Sequence, residues 1–252
     1  MNNESVAGSG SLRLAGSLLL AGQLGYIAIT QFHAGGNANH HHEIFETYAH
    51  DQIWGLVHLG QFGSMAILLA GLLSFASALN SGVGRRLAQL GAAATVVTLT
   101  LYGALQAVDG VALKQAVTAW SAAPEAEKPA RFAIAESVRW LEWGIRSYQD
   151  FSLGLALLLL AGAAWLSLRV PRIIGAFIAF SGLAYIAQGW IAGTEGFSAG
   201  QSISIVTGWA LCVMWMAWLA YASWIAQDSM ALASSRGLSG LSRRPIYLER
   251  PE

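Results

Sequence analysis

Residues 52–84 read QIWGLVHLGQFGSMAILLAGLLSFASALNSGVG, a run without a single Asp, Glu, Lys or Arg. A helix needs about 20 mostly apolar residues to cross the hydrocarbon layer of a bilayer, and this stretch exceeds that length. Working outward, five more charge-free windows appear at 14–42, 87–108, 151–168, 173–194 and 196–227. Each is long enough to span. The expected fold is therefore all-α: a polytopic membrane helix bundle with six transmembrane helices. The spans fall at about 12–32, 53–79, 87–108, 147–168, 173–192 and 203–226.

Composition agrees. Of 252 residues, 55% are hydrophobic and 11% charged, with mean hydropathy +0.49; a soluble domain carries about 25% charged residues. Lys plus Arg equals Asp plus Glu at 14 each, so no basic excess points to nucleic acid. The one cysteine, Cys212, forms no internal disulfide or CxxC pair and reads as a small buried hydrophobe. The start, MNNESVAGSGSLRL, lacks the basic region and cleavage site of a signal peptide, and the first window is read as a retained span.

Orientation follows from Lys and Arg in the short connections. One side collects Arg13, Arg85, Arg86, Arg169, Arg172, Arg236, Arg243, Arg244 and Arg250. On the other, loops 33–51 and 193–202 have no Lys or Arg, and the third loop carries Lys114, Lys128, Arg131 and Arg139, with Arg146 at the mouth of the fourth span. This places both termini in the cytoplasm of a multi-pass protein of the cell membrane. Residues 1–226 read as a single transmembrane domain and 227–252 as a disordered cytoplasmic tail. In the third, outer loop, 111–121 and 130–145 have helical spacing, interrupted by two prolines in Ala-Pro-Glu-Ala-Glu-Lys-Pro at 123–129. Two short amphipathic helices are expected there, the second showing Phe132, Ala135, Val138 and Leu141 (or Trp143) on one side and running into the fourth span.

Polar residues concentrate at one level. All six histidines, His33, His40, His41, His42, His50 and His58, fall between 33 and 58. If 42–50 is helical, His42, Glu46 and His50 share a face and offer two imidazoles and a carboxylate to one metal. The protease signature HExxH is absent. His58 lies inside the second span, where an ionisable side chain is expensive and faces the protein interior, and Asp51, Trp54, His58 and Gln61 follow the spacing of one helix face. Polar stripes at helical spacing mark other spans: Gln23, Tyr26, Thr30 and His33; Thr98, Tyr102, Gln106 and Asp109; Arg139, Glu142, Arg146 and Gln149 beside Asp150; Ser181, Tyr185 and Gln188. Stripes at one depth on five helices predict a shared polar cavity opening outward. Any single stripe is equally explained by interhelical hydrogen bonds, and Glu142 with Arg146 by an i,i+4 ion pair. Asp109, just before Gly110, could simply end the third span. Trp54, Trp140, Trp143 and Trp190 sit near the outer boundary and read as interfacial anchors.

Imidazoles and carboxylates in such a cavity point to a divalent metal (zinc, copper or iron) held by His58 and Glu142, with His50, His33 and Glu46 as further ligands. Glu142, Asp109 and Arg146 are the candidate catalytic groups. The reading is an outward-facing membrane metalloprotein, an enzyme of undefined reaction, with a small molecule or lipid as substrate. The alternatives are a non-catalytic binding protein, sensor or transporter for a metal or small solute, and a single-haem protein using His33 and His58. These two histidines differ in depth by residue count, which weakens the haem reading.

Overall fold

A computed structural model describes the backbone of residues 3–80, 82–167 and 169–241 and the side-chain surroundings of residues 10–80, 82–167 and 169–225. It is all-helical, with no strand among the described residues. In chain order the helices are α1 (Asn3–Thr30), α2 (His41–His50), α3 (Trp54–Leu79), α4 (Arg85–Ala107), α5 (Lys114–Ser121), α6 (Lys128–Leu166), α7 (Arg172–Glu195) and α8 (Ala199–Leu241). Among the described residues, six helical stretches are long and apolar enough to cross a membrane: Gly10–Thr30, Trp54–Leu79, Gly82–Ser121, Lys128–Leu166, Arg172–Glu195 and Ala199–Ile225. These match the six charge-free windows.

The spans pack as neighbours in chain order, α1 on α3, α3 on α4, α4 on α6, α6 on α7 and α7 on α8, and α8 returns to α1. Breakers in the sequence set the ends. Pro129 opens α6 within its first two positions, where a missing N–H costs nothing. Gly196, at φ +66°, closes α7 in a left-handed conformation that side chains resist. α8 continues to Leu241, into the segment read as a tail, and residues 242–252 lie outside the described residues.

Two spans are longer than expected. The third reaches Ser121, because a π-helical turn over Val108–Leu113 joins α4 directly to α5. The fourth begins at Lys128, because nothing between Pro129 and Ser167 breaks the helix. Both segments of the third loop are thus helical, yet each continues a span; neither stands as a separate element. At about 1.5 Å per residue, each of these spans outreaches the hydrocarbon layer. Their protruding halves, with α2, form a satellite core of Ile44, Phe45, Tyr48, Trp54, Leu113, Val117, Trp120 and Ala135. Phe132 and Val138 pack on it, while Leu141 is exposed and Trp143 half-buried.

The closest helix contacts are made by glycines. A Cβ at Gly154 on α6 would lie 2.7 Å from the carbonyl oxygen of Gly182 on α7, and a Cβ at Gly182 2.9 Å from that of Gly154. Small residues let membrane helices approach this closely. Replacing Gly154 by Val should cost about 1–3 kcal/mol through overpacking, measured as a lower unfolding midpoint in micelles. An unchanged midpoint would mean that α6 and α7 do not meet there.

Candidate metal centre

Past Thr30 the chain tightens into a 3-10-like turn, with hydrogen bonds from the amides of Gln31, Phe32 and His33 to the carbonyls of Ala28, Ile29 and Thr30. The turn lays the His33 ring over the start of α3, 5.1 Å from the His58 ring and 5.0 Å from the Trp54 ring. His58 is buried, and its Nδ1 lies 2.8 Å from the carbonyl oxygen of Trp54 one turn earlier. A carbonyl only accepts, so Nδ1 carries a proton, and in the neutral ring Nε2 carries the lone pair. His33 repeats the arrangement: its Nδ1 lies 3.2 Å from the carbonyl oxygen of Ala34, leaving Nε2 free. Burial holds the His33 imidazole below the usual histidine range, and the neutral ring is the form that ligates a metal.

Asp109 enters from the π-helical turn. Such turns recur at functional sites because they redirect side chains within a helix. Its carbonyl accepts from Nε1 of Trp54 at 3.2 Å, which fixes the turn against α3. The Oδ2 atom stands 3.1 Å from Nε2 of His58, but the contact lacks hydrogen-bond directionality, and Asp109 Oδ1 is buried without a hydrogen-bond partner. In the neutral ring a nitrogen lone pair and a carboxylate oxygen then face each other, an arrangement that a cation between them, proton or metal ion, relieves. One ligand atom each from His33, His58 and Asp109 lies within 4.8 Å of the others. Among the described residues this is the one group of three that could hold a metal ion.

The other expected ligands lie elsewhere. α2 does form, but Glu46 and His50 are exposed, with His50 Nδ1 bonded to the Glu46 carbonyl oxygen at 2.8 Å. His42 packs on Trp120 and Phe132. His41 lies 2.9 Å from Oε1 of Glu136 and ties α2 to α6. Glu142, paired with His58 in the sequence reading, is taken by Arg139, whose Nη1 donates to it at 2.6 Å with both side chains buried. Arg146 pairs with Asp150 through Nε at 3.0 Å and not with Glu142. On one helix face a guanidinium reaches a carboxylate either three or four residues away, and spacing alone does not choose.

Three further residues support the site in roles the sequence reading did not give them. Trp54 is buried, not an interfacial anchor: it stacks on His58 with centroids 4.4 Å apart. Tyr48 packs on Trp54 at 4.5 Å, and burial pushes its phenol up to about 12, so it stays protonated. Lys114 donates to the carbonyls of Tyr48, Ala49 and Asp51 at 2.6–2.9 Å, clamping the C-terminus of α2 beside the site. Trp140 and Trp190 are exposed, as anchors would be.

The group borders a cavity of about 590 Å³ whose wall includes His33, Asp109, Arg139, Glu142 and Arg146. α1, α2, α3, α4, α6 and α8 contribute to it. The stripe on α7 does not, because α7 is drawn tightly against α6; Gln188 instead donates to the Ser204 carbonyl of α8 at 3.1 Å. The His58 ring has one further constraint. A Cβ on Gly110 would lie 2.9 Å from the His58 Cβ. Replacing Gly110 by Ala should displace the ring and weaken metal affinity by roughly tenfold, the scale of changes that reorient a ligand. Competitive chelator titration reads this directly, and unchanged affinity would show that His58 is not a ligand.

Compared with known protein families, curated proteins and solved structures, the chain matches none.

Proposed function

We propose that the protein is a membrane enzyme whose divalent metal is held by His33, His58 and Asp109 beside a polar cavity. The observation that carries this reading is the convergence of two imidazole nitrogens and one carboxylate within 4.8 Å of one another, from three separate segments of chain. Two histidines and one carboxylate leave coordination positions open, the arrangement of non-haem iron oxygenases and of catalytic zinc sites. When bound, the ion supplies Lewis-acid polarisation or, if iron or copper, redox chemistry.

The chain's own residues set the conditions. Trp54 and Ala34 fix the imidazole tautomers, Trp54 also holds the Asp109 turn, and the aromatic wall of Tyr48 and Trp54 shields one side from water. The haem alternative gains no support: the His33 and His58 rings are in direct contact at 5.1 Å, with no gap for a porphyrin between them. Elemental analysis and an optical spectrum of the purified protein test the reading. About one zinc, iron or copper per chain without a Soret band is expected, and a metal-free protein after growth in metal-replete medium would overturn it.

The histidine-bearing end faces outward in this proposal, because basic residues crowd the opposite connections. Cysteines placed at Asn39 and at Ser235 should then react with membrane-impermeant reagents from opposite sides. Labelling from the same side would reject the topology.

A further inference from the structure

We infer that the cavity takes a monocarboxylic acid with an apolar body, its carboxylate held by Arg146 and its chain lying along Leu105, Ile205 and Trp209. The inference rests on the proposed metal site and names the substrate class for it.

Arg146 is where the cavity offers unused donors. Its Nε is engaged by Asp150 Oδ2 at 3.0 Å, and Nη1 reaches the Tyr26 hydroxyl at 3.4 Å. The pair with Asp150 is single-point, since Asp150 Oδ1 is buried without a partner. Nη2 makes no hydrogen bond among the described residues, and the side chain lines the cavity. A guanidinium has five N–H donors in a planar fork suited to a carboxylate, so this one keeps part of its fork for a ligand. Arg139 is different. Glu142, the Ala38 carbonyl and Tyr48 engage its Nη atoms, and Phe197 covers its face at 4.7 Å.

The donor gives the ligand its sign: open N–H groups of a guanidinium fork match the two oxygens of a carboxylate in charge and in shape.

Shape gives the ligand its body. Leu105, Ile205 and Trp209 form an apolar wall of the same cavity, and Trp209 meets Tyr26 edge-on at 6.0 Å. Tyr26 therefore joins the Arg146 donors to the apolar wall. A volume of about 590 Å³ is in the range of small-molecule sites. A carboxylate seated on Arg146 leaves its chain to these apolar residues, in the cavity that His33 and Asp109 also line.

Calorimetry with octanoate, octan-1-ol and octylamine on metal-loaded protein in nanodiscs tests this, with metal content measured on the same sample. Octanoate should bind at least tenfold more tightly than the alcohol or the amine, and affinity should rise along acetate, butanoate and octanoate. The rise approaches about fourfold per methylene that becomes fully buried. The double variant Arg146→Gln with Asp150→Asn removes the ion pair without stranding a charge; it should lose the preference for octanoate while retaining metal. Competition by oleic acid in the nanodisc, or its absence, tells a bilayer-borne acid from a water-borne one. Equal binding of octanoate and octanol to metal-loaded protein overturns the inference and leaves the metal site standing. A wild-type protein without metal overturns both.

Discussion

Replacing Asp109 by Asn should lower divalent-metal affinity by at least about 100-fold, while replacing His40 and His41 together leaves it within a few-fold. The amide keeps the shape of Asp109 and its place in the π-helical turn but removes the anionic oxygen that faces Nε2 of His58 at 3.1 Å. Changes that merely disturb a ligand's support cost about 10–100-fold, and losing a charged ligand from a set of three costs at least as much. His40 is exposed, and His41 is engaged with Glu136. Competition against a chelator of known affinity measures both variants. Equal losses would move the metal to the loop histidines, and no loss from Asp109→Asn would leave His58 and Asp109 as a structural pair.

The second large effect is on stability. Replacing Glu142 by Gln should destabilise the protein by about 3–5 kcal/mol, because it strands the buried Arg139 without its counter-charge. The pair is 2% exposed on each side, with a 2.6 Å contact. Replacing both residues by Met and Leu should recover most of the loss, since apolar substitutes of similar volume avoid the desolvation cost. Unfolding in mixed micelles gives the free energies. A Glu142→Gln protein as stable as the parent would show that the ion pair does not form. Metal content should stay near the parent value in Glu142→Gln, and its loss would restore Glu142 as a ligand.

The six apolar helices were legible because charge-free windows report directly on the cost of charge in hydrocarbon. The histidine cluster at 33–58 and the burial of His58 were legible for the same reason. The partner of His58 was not. Glu142 and Asp109 both lie on polar stripes at the right depth, and choosing between them needs the rotation of α4 relative to α6. A π-helical turn alters that rotation, because one added residue shifts the face by about 100°, and nothing in VDGVAL announces it. His33 was placed at a different depth from His58 because charge-free windows do not fix how α1 and α3 are offset against each other. The structure pairs Gln61 with Thr30, and three residues outward from each stand His58 and His33. Trp54 shares the His58 face by spacing, yet a tryptophan at a span boundary reads as an anchor until its burial is known.

The most direct test of the metal centre is anomalous diffraction from crystals of the metal-loaded protein, with data collected on both sides of the metal's absorption edge. One peak is expected between His33, His58 and Asp109, with metal–nitrogen distances of about 2.0–2.1 Å if the ion is zinc. A peak at His40–His42 or on the Glu46 and His50 face of α2, or no peak from protein that elemental analysis shows to be loaded, would contradict it.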